Sequence, residues 1–408
     1  MNRDSFDRII FFPFIFSSIS FFIFPVFRLI LFRITSFALP TSFIIALSIT
    51  GSFIYLSFKL RNFFIEKYIF ICTVSVFFVF LIFSINFDNK NTLNQYLATT
   101  WIYFLTPCAA MLIGNMSYDW KNLYDITDID LEKWINLSIF FLFTGVIINS
   151  FDIYFLGENY SSIYKDFGTV APAQFGEIVL PRLAGAYFSG LDLAIAIIFL
   201  MSIQSVRRKK IYSIINYLLI ICLLFTFTRN VYLIFGYWFI VNKISTIKIS
   251  RLAILGYLSS PLLSFLTIST LLFQLNSGKI EINDETSSLL TRLSSWTVIL
   301  DEISNSPMSL FFGLGVTQNI LTPGESSIYA IDNFFWELIC YGGLISYLLI
   351  ILFINFLRNK CVVHNNELGR LVLIIISIIP IAGIFNNMSG SILMVSTFLM
   401  FGLITRND

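Results

Sequence analysis

Apolar residues in this chain fall in unbroken runs, without the i, i+3, i+4 spacing of a surface helix or the alternation of a half-buried strand. The runs recur from end to end at roughly 17–25 residues, the length that crosses a bilayer as a helix. They predict about twelve spans: Ile9–Phe27, Thr35–Phe58, Tyr68–Ile85, Tyr96–Gly114, Trp134–Tyr154, Leu183–Gln204, Ile211–Phe227, Val231–Val241, Leu252–Leu275, Phe334–Phe356, Leu371–Phe385 and Ser391–Leu403. Val231–Val241 is short for a span, so it is expected to extend toward Lys243 or to share a helix with the residues before it. No 20–50-residue repeat and no low-complexity linker divides the chain. The pattern reads as one transmembrane domain over residues 1–408, an all-α polytopic integral membrane protein.

Composition agrees. Charged residues make up 12% of the chain and 47 residues are Phe, whereas a soluble domain carries about 25% charged residues. The formal net charge of +2 says nothing of nucleic acid, and with no basic patch interleaved with aromatics no nucleic-acid partner is expected. The N-terminus is charged and then apolar, without a small-residue cleavage site, and reads as an uncleaved first helix. The five cysteines, Cys72, Cys108, Cys222, Cys340 and Cys361, have no metal-ligand spacing, and disulfides are not expected.

Lys and Arg in the connecting segments set the orientation. The cluster Arg207-Arg208-Lys209-Lys210, together with Arg3, Lys59, Lys67, Lys121, Lys243, Lys248, Arg251, Arg358, Lys360 and Arg370, puts both termini and the even loops in the cytoplasm. Arg28 and Arg33 then fall awkwardly on a short outer turn. Two substantial loops, Leu156–Pro181 and Asn276–Ile331, face outward, and Thr228-Arg229-Asn230 lies at an outer turn. Both loops are too small and apolar to be domains and are expected to form re-entrant or interfacial helices, such as Ser287–Ser304.

The chemistry-bearing residues gather in these outer segments. Arg182, Arg229 and Arg292 stand at or near span ends among apolar neighbours. An arginine near lipid is costly unless it meets a cavity or a partner, and guanidinium forks match phosphate oxygens with paired hydrogen bonds. The alternative is that each snorkels to the interface or meets a phospholipid headgroup. Asp332 opens a late helix, where an aspartate is ordinary capping chemistry; it is equally placed to act as a general base. Glu177, Asp192, Glu302 and Glu337 are rival acids, and Asp192, inside an apolar run, is expected to pair with an arginine. Asp128-Ile129-Asp130 matches a short metal-binding pattern of sugar transferases, but on the cytoplasmic side. No phosphate-binding glycine loop, Ser-His-Asp set or Cys/His metal cluster can be assembled, and the sole histidine, His364, lies in a basic inner loop.

The order of short motifs resembles a known family. Pro181-Arg182-Leu183-Ala184-Gly185 follows the first outer loop, and Thr228-Arg229 sits at a helix hairpin. Arg292 precedes Ser295-Trp296, then come Pro307, Gly313-x-Gly315, and Asp332-Asn333-Phe334 leading into a helix with Gly342-Gly343. This order and topology resemble the O-antigen polymerase and O-antigen ligase superfamily. The ligases carry a histidine just before the asparagine that enters the late helix; here that position is Asp332, which favours a polymerase.

The resemblance implies a GT-C-like fold in the bacterial inner membrane with its active site facing the periplasm. It implies a metal-independent glycosyltransferase that needs no cofactor and polymerises undecaprenyl-diphosphate-linked O-antigen repeat units. The donor and acceptor are both lipid-linked oligosaccharides, and a chain-length regulator is the implied protein partner. Arg182 and Arg292 with Asp332 would be catalytic. Arg229, Trp296, Asn333 and Glu177 would contact substrate, with Trp296 a sugar-stacking platform or else an interfacial anchor. The competing readings are an O-antigen ligase and a flippase or transporter for the same lipid-linked oligosaccharide.

Overall fold

The computed structural model describes residues 3–35, 47–52, 54, 106–123, 128–156, 173–175, 178–180, 182–187, 189–208, 214–277, 303–304, 306–313, 333–364, 366–384 and 392–405. The architecture is a helical bundle. Helices α1 (Arg3–Ser18) and α2 (Phe24–Thr35) are joined by a π-helical turn, Ile19–Ile23, into one rod. There follow α3 (Thr106–Leu123), α4 (Asp128–Leu156), α5 (Gly190–Arg208), α6 (Ile214–Leu224), α7 (Arg229–Val241), α8 (Thr246–Asn276), α9 (Pro307–Phe312), α10 (Phe334–His364), α11 (Glu367–Gly383) and α12 (Ile392–Thr405). The expectation of an all-α chain with helical outer loops needs one correction. Strands β1 (Ala173–Phe175) and β2 (Ile178–Leu180) form an antiparallel hairpin in the first of those loops, with Ala173 opposite Leu180 and Phe175 opposite Ile178.

Among the described residues five helices are long and apolar enough to cross a membrane: Phe11–Thr35, Leu131–Phe155, Gly190–Arg207, Thr246–Leu266 and Gly342–Val363. Their burial sorts them. The α5 span is 89% buried, against 33% for the α8 span and 28% for the α10 span, so α5 is central and the other two are peripheral. Helix α11 is central as well, buried from Leu368 to Gly383 apart from Arg370 and Ile381. On the peripheral helices large apolar side chains such as Leu255, Leu258, Leu262 and Leu352 are more than half exposed. That outward-facing apolar surface suits lipid as the solvent, and the protein is a membrane-embedded helical bundle. The predicted span Tyr68–Ile85 lies outside the described residues, as does most of Thr35–Phe58.

Val231–Val241 neither extends to Lys243 nor merges with the helix before it. A turn at Phe225–Thr228, with Phe227 at φ +46°, separates α6 from α7, and a second turn follows Asn242. The 13 residues of α7 reach only about 20 Å at 1.5 Å per residue.

Between helices in lipid there is little hydrophobic drive, so close backbone approach and polar contacts hold a bundle together. Both occur here. Helices α3 and α12 cross where Gly114 meets the Leu399 carbonyl oxygen and Gly402 meets that of Met111; a Cβ at Gly402 would also lie 2.9 Å from the Asn115 nitrogen. Ser138 donates to Ser18 (2.8 Å), and the buried Trp238 indole donates to Ser202 (2.8 Å). The two ends of the bundle differ. Arg207 meets Glu132 at 3.7 Å and Arg370 donates to the Asn242 carbonyl at 2.7 Å at one end, while α5, α7 and α10 begin at the other.

Replacing Gly402 with Val is expected to cost about 1–3 kcal/mol, the usual scale of overpacking. Gly236→Ala, where nothing lies within 4 Å of the added Cβ, is expected to leave stability unchanged or slightly raised. Thermal unfolding in detergent, followed by tryptophan fluorescence, measures both.

Candidate active site

The segment from Arg182 to Ser189 connects the β-hairpin to α5, and its backbone groups are tied to three helices. The Leu183 N–H donates to the Phe225 carbonyl at 3.0 Å. Asn149 of α4, fully buried, accepts from both the Ala184 and Gly185 N–H groups at 3.0 and 3.1 Å. Arg28 of α2 donates to the Ala186 carbonyl at 3.2 Å. The Tyr187 hydroxyl donates to the Phe21 carbonyl in the π-helical turn at 2.6 Å. Gly185 sits at φ +58°, where Leu193 and Val146 crowd in from α5 and α4, so the chain turns there without a side chain. An irregular backbone at this depth survives because each of these groups is satisfied within the protein.

The same bonds bring two of the predicted arginines to one place along the bundle. Arg182, partly buried, immediately precedes the Leu183 anchor. Arg229 is the first residue of α7, just past the turn that supplies the Phe225 carbonyl. Gly190 closes the contact: a Cβ there would stand 2.8 Å from the Thr228 hydroxyl oxygen and 3.2 Å from the Thr226 carbonyl. Thr228 caps α7 only through its backbone, while its hydroxyl donates to Thr226 O at 3.1 Å.

A charged layer lies beside this segment. Arg28 is 3% exposed, and its charge is attracted to that of Asp192 in the first turn of α5. Asp192 also interacts with the Ser189 hydroxyl. Arg33 meets the buried Asp152 of α4 at 3.0 Å, with half of the arginine side chain exposed. Thus Arg28 lies inside α2 and Arg33 in its last turn, both helical and not on a turn between spans; Arg33 holds the carboxylate of Asp152 in α4. Arg28 is the cation whose charge acts on Asp192, while the side-chain hydrogen bond of Asp192 is to Ser189. Burial, and next the neighbouring Asp192 charge, hold the Tyr187 phenol well above its ordinary pKa, so it stays a neutral donor.

Asn333, expected as a substrate contact, is fully buried. Its Oδ1 caps α10 by accepting from the Phe335 and Trp336 N–H groups at 3.0 and 3.1 Å. Its amide N–H₂ donates to Ser264 of α8 at 3.0 Å and to the Ile384 carbonyl, just past α11, at 2.8 Å. Both hydrogens and the oxygen are thereby engaged in the fold. One turn on, Glu337 is 2% exposed. Beyond it α10 breaks at Gly342 and Gly343, the latter at φ +64° against the Phe311 carbonyl of α9. Asp332, Arg292, Trp296 and Glu177 lie outside the described residues. Among the described residues no group of three His, Cys, Asp or Glu side chains stands close enough to hold a metal ion.

Sequence reasoning missed the Arg28 and Arg33 pairings. The available signal was that the apolar run continues past Arg28 through Leu29-Ile30-Leu31-Phe32 without a Gly, Asn or Pro between the two arginines. No protein-family model, curated protein or solved structure matches this chain.

Removing one member of a buried charge pair strands the other at a cost of about 3–5 kcal/mol. Asp192→Leu and Arg28→Leu are each expected to destabilise on that scale. The double variant is expected to recover a large part of the loss, as a double-mutant cycle of thermal unfolding would show. Strict additivity would mean that the two charges do not act on each other.

Proposed function

We propose that the chain polymerises undecaprenyl-diphosphate-linked O-antigen repeat units at the periplasmic face of the bacterial inner membrane. One observation carries the reading. The segment bearing Arg182 and the turn leading into Arg229 are hydrogen-bonded together through Leu183 and Phe225, away from the bundle end that carries Arg207 and Arg370. Two arginine-bearing segments that meet at one level supply the charge that a diphosphate leaving group requires. In the proposed orientation both termini are cytoplasmic, following the Lys and Arg distribution, and the segments around Arg182 and Arg229 face the periplasm.

In the proposed reaction a sugar hydroxyl of the acceptor attacks the anomeric carbon of the donor glycan. The bond from that carbon to the diphosphate oxygen breaks, and undecaprenyl diphosphate leaves with the electron pair. Asp332 takes the hydroxyl proton. Arg182, Arg229 and Arg292 stabilise the charge growing on the diphosphate, the role that fixed cations fill in electrostatic catalysis without a metal. Trp296 supports the sugar face, with Glu177 among the substrate contacts. Asn333 enters this scheme as the residue that fixes the start of α10, directly after Asp332 in the chain. Asp332, where ligases carry histidine, favours polymerisation over transfer to lipid A–core.

Lipopolysaccharide from a strain lacking this gene is expected to show core bearing a single repeat, with the ladder gone. Bare core would point to a flippase or ligase step, and an unchanged ladder would exclude O-antigen polymerisation. Complementation with Arg182→Ala is expected to lower polymerisation about 10²-fold or more at equal protein level, the usual effect of removing one charge-stabilising donor.

A further inference from the structure

A second cationic site lies at the other end of the bundle. The first turns of α8 and the last turns of α10 part to leave a cleft of about 300 Å³. Arg251 and Arg358 line it, with Ser250 and Asn359 as neutral hydrogen-bonding neighbours and Ile247 and Val363 at its apolar edge. Among the described residues no carboxylate lines it. Arg251 is exposed and has no hydrogen-bond or ion-pair partner among the described residues. The Arg358 Nη2 donates to the Asn359 side-chain oxygen at 2.9 Å, which fixes the guanidinium, while its Nε is buried with no hydrogen-bond partner among the described residues. Two arginines brought together without an acid call for an anion.

Position and shape identify the kind of anion. The α8 span runs from Thr246 to Leu266 and the α10 span from Gly342 to Val363, so the cleft sits where both spans end, at the depth of lipid headgroups. The volume is at the lower limit of small-molecule pockets and suits a headgroup without its tails. The tails have a path of their own. From Ile247 and Arg251 an exposed stripe continues along α8 through Leu255 and Leu258, and from Val363 and Asn359 another runs along α10 through Leu352 and Leu348. These positions recur every three or four residues on α8 and every four or seven on α10, so each stripe is one helix face. Cation at the interface and exposed leucines leading into the membrane match an amphiphile whose phosphate and acyl chains lie in that order.

We infer that the Arg251–Arg358 cleft is a binding site for the phosphate headgroup of an anionic phospholipid, with its acyl chains along α8 and α10. The site stands apart from the proposed polymerase chemistry and does not depend on it.

The test uses the full-length protein in nanodiscs of phosphatidylcholine titrated with phosphatidylglycerol, with bound lipid counted by native mass spectrometry. Each basic residue near an anionic surface contributes about fivefold to affinity, so Arg251→Gln/Arg358→Gln is expected to weaken phosphatidylglycerol binding about 30-fold. The Arg251→Lys/Arg358→Lys pair keeps most of the binding, and phosphatidylcholine is unaffected. Wild-type-like binding by the Gln pair would overturn the site. Displacement of the lipid by millimolar glycerol 3-phosphate or inorganic phosphate would overturn the lipid assignment in favour of a soluble anion. Photo-crosslinking phosphatidylglycerol to the wild-type protein gives an answer that does not depend on how the variants fold. Labelling is expected in the peptides holding Ile247 and Val363, and even labelling over all exposed helices would overturn the proposal.

Discussion

Every backbone polar group inside this bundle must find its partner within the protein, because hydrocarbon offers none. That constraint, more than apolar contact, decides which helix meets which, since a leucine is as well solvated by lipid tails as by another leucine. Asn333 is the clearest instance: one amide joins the start of α10 to α8 and to the end of α11. Ser138 with Ser18 and Trp238 with Ser202 do the same for the helices around α5. Between α3 and α12, Gly114 and Gly402 let backbone meet backbone.

The same constraint explains the irregular stretch between the β-hairpin and α5. Its N–H and carbonyl groups are shared out to Asn149, Phe225 and Arg28, which come from α4, the α6–α7 turn and α2. A segment anchored on three sides holds Arg182 in place as firmly as a helix would. Arg33 with Asp152, and Arg28 through the Ala186 carbonyl, then pin the first long helix to α4 and to the segment before α5. The proposed chemistry therefore rests on a frame whose own charges are matched.

The helices were legible in the sequence because bilayer thickness imposes a run length, and long apolar runs such as Leu183–Gln204 and Leu252–Leu275 show it directly. What hydropathy could not convey was pairing between distant positions. Arg28 resembled a loop residue because charge was used to mark loops, although its partner Asp192 lies far along the chain. Asn333 resembled a ligand contact because an asparagine at a helix start is chemically suited to both roles; only the positions of Ser264 and Ile384 separate them. The β-hairpin was missed because three-residue strands such as Ala173–Phe175 carry too few residues for an alternating pattern to show. The proximity of Arg182 to the Arg229 turn was foreseen from topology, while the Leu183–Phe225 bond that establishes it required the structure.

The α6–α7 hairpin has a consequence for the surrounding membrane. Its outward side chains, among them Tyr217, Phe225, Leu233 and Ile240, are more than half exposed, so lipid lies against it. Its wall is about 20 Å tall, against a hydrocarbon core of about 30 Å. Such hydrophobic mismatch forces the adjacent leaflet to thin or admits water above the turn. Either response lowers the local barrier between the bilayer interior and the polar segment at Arg182, and gives this side of the bundle a notch through which an amphiphile could pass sideways.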